Sequence, residues 1–423
     1  MHNLGIPGLY FTKDEKRIYP HGSLFSHAVG FVDIDGRGLA GFERYLDDDL
    51  KNSPQQHIQL SLDARVQTIL KDELLKAVEE NSAAGGSGVI IDVKSGEILA
   101  LVSLPDFNPH NVEKASDRQR FNQITLGTYE LGSVFKILTS TMALDLKKVN
   151  LNDAFNVSMP LQIGRFKIND YKGKGGMLSV PEVLMYSSNI GTAQIAALCG
   201  IKNQQEYLRR FGILDELSVE LKEVAKPRYP SKKRWNEVSM VTISYGHGIA
   251  VTPLHLAQAV ATVVNGGYKV KPTLHKVDPK EIEREQVISE DVSMLMRKML
   301  RLVVTGGSGK RANVEGYFLG GKSGTAEKIS GRRYNKNLNL SSFIAAYPIH
   351  DPKYVIMVLI DEAKPNKSNH GYTTGGMVAS PVAGEVVKRI SPLLNVYPEN
   401  ELELVEADLQ LDYMPRYQRI ASR

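Results

Sequence analysis

Ser133 and Lys136, in the run Gly132-Ser133-Val134-Phe135-Lys136, are a hydroxyl and an amine three residues apart that could together make an acyl-transfer nucleophile. A serine hydroxyl attacks poorly unless a base takes its proton. A lysine serves as that base only where desolvation or nearby positive charge lowers its pKa. On a helix, a spacing of three puts both Cβ atoms on one face, about 5–6 Å apart. The apolar run Val134–Leu144 predicts such a helix, entered through Gly132, and Ile137 and Leu138 are poor company for a solvated ammonium. A helix N-terminus also offers unpaired N–H groups where an oxyanion would develop. Alone, the pair also fits a capping serine beside a surface lysine, although it is the only S-x-x-K in the chain.

Ser187-Ser188-Asn189 is the only S-x-N. It falls in a turn between a helix start at Ser179 and the apolar segment Ile190–Leu198, closed by Gly200. A hydroxyl at Ser187 could relay a proton there and the amide of Asn189 could hold a substrate amide; helix capping explains the same residues without chemistry. The third candidate is Gly320-Gly321-Lys322-Ser323-Gly324-Thr325-Ala326. Adjacent glycines let a backbone approach a neighbour or ligand closely. Lys322 and Ser323 could bind a carboxylate, while Gly324 and Thr325 lend backbone to an extended peptide. Lys94-Ser95-Gly96 repeats the triplet, but it lies between two strand signals and a plain hairpin turn accounts for it.

The elements that must position these groups follow from periodicity. Asp63 can cap a helix whose apolar face is Val66, Ile69, Leu70, Leu74 and Val78. Gly88–Val93 and Glu97–Val102 read as a hairpin. Ser179 with Glu182, around Pro181, makes a capping box, and Thr252-Pro253 opens a helix running to Asn265-Gly266. Strand signals return at Tyr317–Leu319, Ser342–Tyr347 and Tyr354–Ile360, and Val378–Ile390 predicts a closing helix. Strands at both ends with helices between them predict an α+β domain with one antiparallel sheet. The expected division is a small N-terminal part over 1–56 ending in a linker at Asn52–Gln56, a main domain over 57–398, and a weakly patterned acidic tail over 399–423.

Composition is consistent with this. A chain of 423 residues, 42% hydrophobic and 23% charged, is globular and too long for one core. The net charge of +5 is modest, and Lys232-Lys233-Arg234 and Arg332-Arg333 read as solvated faces, so no nucleic-acid partner is expected. One cysteine, Cys199, excludes an internal disulfide and a cysteine metal site, and its apolar setting predicts a buried thiol. No run approaches a membrane span and the N-terminus lacks a signal-peptide layout, so these residues alone read as soluble.

The order S-x-x-K, S-x-N, K-S-G is the signature of serine penicillin-recognising enzymes. The surrounding text resembles class B penicillin-binding proteins from about Gln59 to Ser391. Tyr129–Lys136, Ser244–Gly248 with Val251–Leu254, and Gly320–Ala326 carry the likeness, while Arg17–Pro20, Gly30–Gly36 and Gly41–Glu43 resemble the end of that family's N-terminal pedestal domain. The resemblance implies a serine β-lactamase/D,D-peptidase-like transpeptidase domain that cross-links peptidoglycan stems ending in D-Ala-D-Ala, binds β-lactams and needs no metal or organic cofactor. It implies Ser133 as nucleophile, Lys136 as base, and the backbone N–H groups of Ser133 and Thr325 as oxyanion hole. Ser187 would pass a proton to the departing D-Ala, Asn189 would hold the peptide amide, and Lys322 with Ser323 would bind the terminal carboxylate.

Ser188 stands where class A β-lactamases usually carry Asp, and no E-x-x-x-N element is placed to activate a deacylating water; both favour a transpeptidase over a β-lactam hydrolase. The family further implies a membrane anchor, a full pedestal and division-complex membrane partners on the periplasmic side, so the chain reads as N-terminally truncated or started late. The short pedestal segment looks more like the septal than the elongation branch. A non-catalytic division scaffold or β-lactam sensor is the other reading, disfavoured by the intact serine–lysine–lysine set.

Overall fold

Residues 16–52, 57–171, 173–330 and 333–415, with Pro7, are described by a computed structural model. Beyond Asn52 the expected linker lies outside the described residues, as do the side chains of Arg332-Arg333. The centre is an antiparallel five-stranded sheet formed by β1 (Gly85–Asp92), β2 (Ile98–Leu104), β3 (Gly320–Ser330), β4 (Arg333–Tyr347) and β5 (Tyr354–Asp361). The spatial order is β2-β1-β5-β4-β3, so segments from both ends of the domain share one sheet, as expected.

Seven helices position the site: α1 (Ala64–Glu80), α2 (Lys136–Asp145), α3 (Val180–Met185), α4 (Asn189–Arg210), α5 (Pro253–Val264), α6 (Glu290–Gly306) and α7 (Gly375–Ile390). On β5, Ile356, Val358 and Ile360 pack in a core with Leu70 and Leu74 of α1 and Val382 and Val386 of α7. Their alternates Val355, Met357 and Leu359 pack in the larger core that contains Leu254 and Val260 of α5. Side chains alternate along a strand. Both faces of this one are covered, so it must be apolar throughout.

Local chemistry sets most boundaries. Asp63 caps α1, its carboxylate accepting from the N–H groups of Arg65 and Val66. Ser179 and Glu182 close the capping box of α3, and the Thr252 hydroxyl accepts from His255 N to cap α5. Inside α7, Pro381 has no N–H for the carbonyl four residues back. The Arg311 guanidinium donates to that carbonyl, Met377 O, at 2.7 Å.

Four expectations are corrected. Tyr317–Leu319 is not a strand: Tyr317 N donates to Val314 O in a turn, Phe318 has φ 43°, and β3 begins at Gly320. The three side chains are buried, so their apolar character reports burial and not pairing. Gly200 (φ 80°, ψ 165°) breaks α4, but the helix resumes and runs to Arg210. The closing helix starts at Gly375, three residues before the expected Val378. The acidic tail carries a short helix, Leu402–Asp408, docked on α6 through Glu406 and Arg301.

The N-terminal part packs on the main domain. Ala28 and Phe42 belong to the larger apolar core, and Gln67 Nε2 of α1 donates to Leu24 O at 2.8 Å. Cys199 is buried, and burial pushes its thiol up to about 11.

Candidate active site

The first turn carrying Ser133 is a 3₁₀ turn over Gly132–Phe135 that runs directly into α2. In that geometry residues three apart eclipse, so Lys136 falls below Ser133. Gly132 has φ 61°, and a Cβ there would meet Thr325 O on β3 at 2.8 Å. The nucleophile turn and the Lys-Ser-Gly strand therefore abut backbone to backbone. Ser133 is half-buried, and among the described residues its hydroxyl has no hydrogen-bond partner.

Lys136 is fully buried, as its apolar helix predicted. Its Nζ donates to the carbonyl of Ser187 and, at 3.2 Å, to the Ser187 hydroxyl. Lys322 is equally buried, and its Nζ reaches the same hydroxyl at 3.0 Å and Ser323 O at 2.9 Å. The Ser187 oxygen thus accepts from both lysines, which leaves its own O–H as a donor. Burial pushes the Lys136 ammonium well below its ordinary value, the positive charge of Lys322 adds to that, and Asp170 opposes it. Burial alone brings Lys322 down from 10.5 to about 7. Two desolvated lysines on one serine hydroxyl, beside an unengaged serine hydroxyl, make a proton-transfer site for attack on a carbonyl.

The other expected residues converge on the same place. Asn189 begins α4 and is half-buried, its Nδ2 donating to Asn169 O at 3.1 Å. Ser323 Oγ pairs with Ser308 Oγ at 2.7 Å. A Cβ on Gly324 would meet Leu131 O at 2.6 Å, so only glycine lets β3 lie against the turn before Ser133. The Thr325 hydroxyl accepts from Gly375 N at 3.0 Å and pins the start of α7. By contrast, Lys94 is exposed in the β1–β2 turn, where Asp92 Oδ1 accepts from Lys94 N and Ser95 N at 2.8 Å each.

The family described as "Penicillin binding protein transpeptidase domain" matches residues 86–388, which include all eight expected site residues. The chain belongs to this family. A probable peptidoglycan D,D-transpeptidase FtsI of Caulobacter vibrioides is 40% identical over 413 residues, 95% of this chain and 70% of that protein. The transpeptidase domain of penicillin-binding protein 3 from Burkholderia pseudomallei is 31% identical and superposes with a TM-score of 0.72, covering 80% of this chain and 97% of that one. Penicillin-binding protein 3 of Mycobacterium tuberculosis, solved with aztreonam, gives 26% identity and a TM-score of 0.80 with 92% of both chains covered.

Three contributors to this candidate site escaped the motifs. Gly246 (φ 83°) lies so close to Gly132 that a Cβ would sit 2.1 Å from Gly132 O, and its own carbonyl accepts from Gly132 N at 3.3 Å. Ser244–Gly248 carried the resemblance, but nothing in those letters says what they touch. Ser308 pairs with Ser323, and Asp170 holds the S-x-N turn from a separate hairpin. None has a local signal, because each acts through a partner distant in sequence.

Proposed function

We propose that this chain is the catalytic part of a septal peptidoglycan D,D-transpeptidase that works through an acyl-serine on Ser133. The observation that carries the reading is the convergence of Lys136 and Lys322, both fully buried, on the Ser187 hydroxyl in a family-matched domain. The substrates are stem peptides ending in D-Ala-D-Ala, and β-lactams occupy the same site.

Neutral Lys136 takes the Ser133 proton as Oγ attacks the penultimate carbonyl carbon, with backbone N–H groups of Ser133 and Thr325 holding the oxyanion. Ser187 hands its proton to the departing D-Ala amine and is resupplied by the lysines. Asn189 holds the peptide amide, and Lys322 with Ser323 binds the terminal carboxylate beside Gly324. The amine of a second stem then resolves the acyl-enzyme.

Residues 1–56 are the end of a pedestal domain, 57–398 the transpeptidase domain and 399–423 a tail. The enzyme works on the periplasmic side of the inner membrane with division-complex membrane proteins. Among the described residues no helix is long and apolar enough to cross a membrane.

A fluorescent penicillin tests the reading. Intact mass should show one adduct lasting many minutes, mapped to the peptide bearing Ser133, and Lys136→Ala should slow acylation on the order of 10²-fold with its fold intact. Rapid release of hydrolysed drug would make the chain a β-lactam hydrolase instead, and an adduct elsewhere would remove Ser133 from the mechanism.

A further inference from the structure

A small hairpin inserted between α2 and α3, Leu161–Ile163 paired with Phe166–Ile168, ends in Asn169-Asp170 against the Ser187-Ser188-Asn189 turn. Asp170 Oδ2 accepts from Ser188 Oγ at 2.6 Å and Oδ1 from Ile190 N at 3.0 Å. Ser188 Oγ accepts in turn from Gly191 N at 2.9 Å, and Asn169 O accepts from Asn189 Nδ2 at 3.1 Å. The hairpin exit therefore holds the second and third residues of the turn, while the two lysines hold the first. Ser187 has φ 59°, a backbone that a non-glycine residue keeps only where its surroundings fix it. Fastened from one side only, the turn could rotate Ser187 Oγ and the Asn189 amide away from Ser133.

We infer that Asp170 is a positioning residue of the acylation site, clamping the Ser187-Ser188-Asn189 turn from outside and balancing charge at the buried base. The inference rests on the proposed acyl-serine function. Both carboxylate oxygens are committed to the turn, so Asp170 is not poised to activate a water. Its second effect is electrostatic. The charged groups acting on Lys136 are Lys322 from β3, which disfavours the ammonium, and Asp170 from the hairpin, which favours it. The Ser187 carbonyl and hydroxyl face it from the turn. Removing the Asp170 charge moves the Lys136 pKa further down, so the neutral base survives to lower pH.

The test is the second-order rate of acylation by a fluorescent penicillin, measured from mildly acidic to mildly basic pH for wild type, Asp170→Asn and Asp170→Ala, with thermal melts alongside. Asp170→Ala should lose about tenfold or more at the plateau, since small misplacements of reacting groups can cost about 10²-fold. Asp170→Asn keeps an acceptor for Ile190 N and should recover most of that rate. In both, the acid limb should lie at lower pH than in wild type, which a merely structural role would not produce. If Asp170→Ala does not fold, the limb of Asp170→Asn decides. An acid limb unmoved in the folded variants, or an undiminished rate in Asp170→Ala, overturns the inference. Failure of the wild type to acylate on Ser133 would overturn the function beneath it, and would show before any variant was compared.

Discussion

Replacing each lysine of the duplicated Lys-Ser-Gly triplet by alanine separates chemistry from composition. Lys94 is exposed, and the turn it occupies is held by Asp92 accepting from backbone N–H groups that alanine retains. Such a surface change moves stability by less than about 0.5 kcal/mol, so Lys94→Ala should acylate at the wild-type rate. Lys322 is fully buried and donates to Ser187 Oγ at 3.0 Å, directly at the proton-transfer hydroxyl. A hydrogen bond to a charged group is worth about 1.5–3 kcal/mol, or roughly ten- to a hundred-fold in rate. Lys322→Ala should lose at least that tenfold with penicillin. It should also shift the acid limb upward, because the Lys322 charge is one of the influences lowering the Lys136 pKa. That shift is opposite in sign to the one expected at Asp170. Second-order acylation rates across pH, beside thermal melts, check both. Equal rates for the two variants, or a greater loss at Lys94, would refute the assignment of the third motif to β3.

Lys322→Met should acylate at least about tenfold more slowly yet be more stable than wild type. With its folded pKa near 7 against an ordinary 10.5, Lys322 binds its proton less readily in the folded state. The cost is fully present below about pH 7 and vanishes as pH rises toward 10.5. The melting advantage of the methionine variant should therefore be largest at or below neutral pH and shrink on the alkaline side; a pH-independent difference would contradict the burial argument. Gly246→Ala should lower both stability and acylation, because left-handed backbone alone costs a residue with a Cβ about 1–2 kcal/mol and the new atom would sit 2.1 Å from Gly132 O. A wild-type melt and acylation rate would show that this contact does not shape the nucleophile turn.

Much of the site was legible because its parts are local. Ser133 and Lys136 share one turn, and an apolar helix around a lysine already says that its charge will be desolvated. Ser187 to Asn189 lies between a helix with a recognisable capping box at Ser179 and an apolar run, and the glycines flanking Lys322 mark a strand that other backbone must approach. The unbroken apolar run Tyr354–Ile360 likewise read as a strand, while its central place, covered on both sides, came from the packing.

Tertiary structure alone decided how those parts meet. That Lys136 and Lys322 share the Ser187 hydroxyl brings together residues 51 and 135 positions from that serine. Asp170, Gly246 and Ser308 carry no periodicity or capping pattern that singles them out. Tyr317–Leu319 misled for a related reason, since apolar character records burial in a turn as readily as in a strand. A sequence states what each residue can do with its neighbours along the chain. Which distant backbone will lie within 3 Å of a glycine, or which carboxylate will face a turn, is set by the packing of the sheet and helices that carry them.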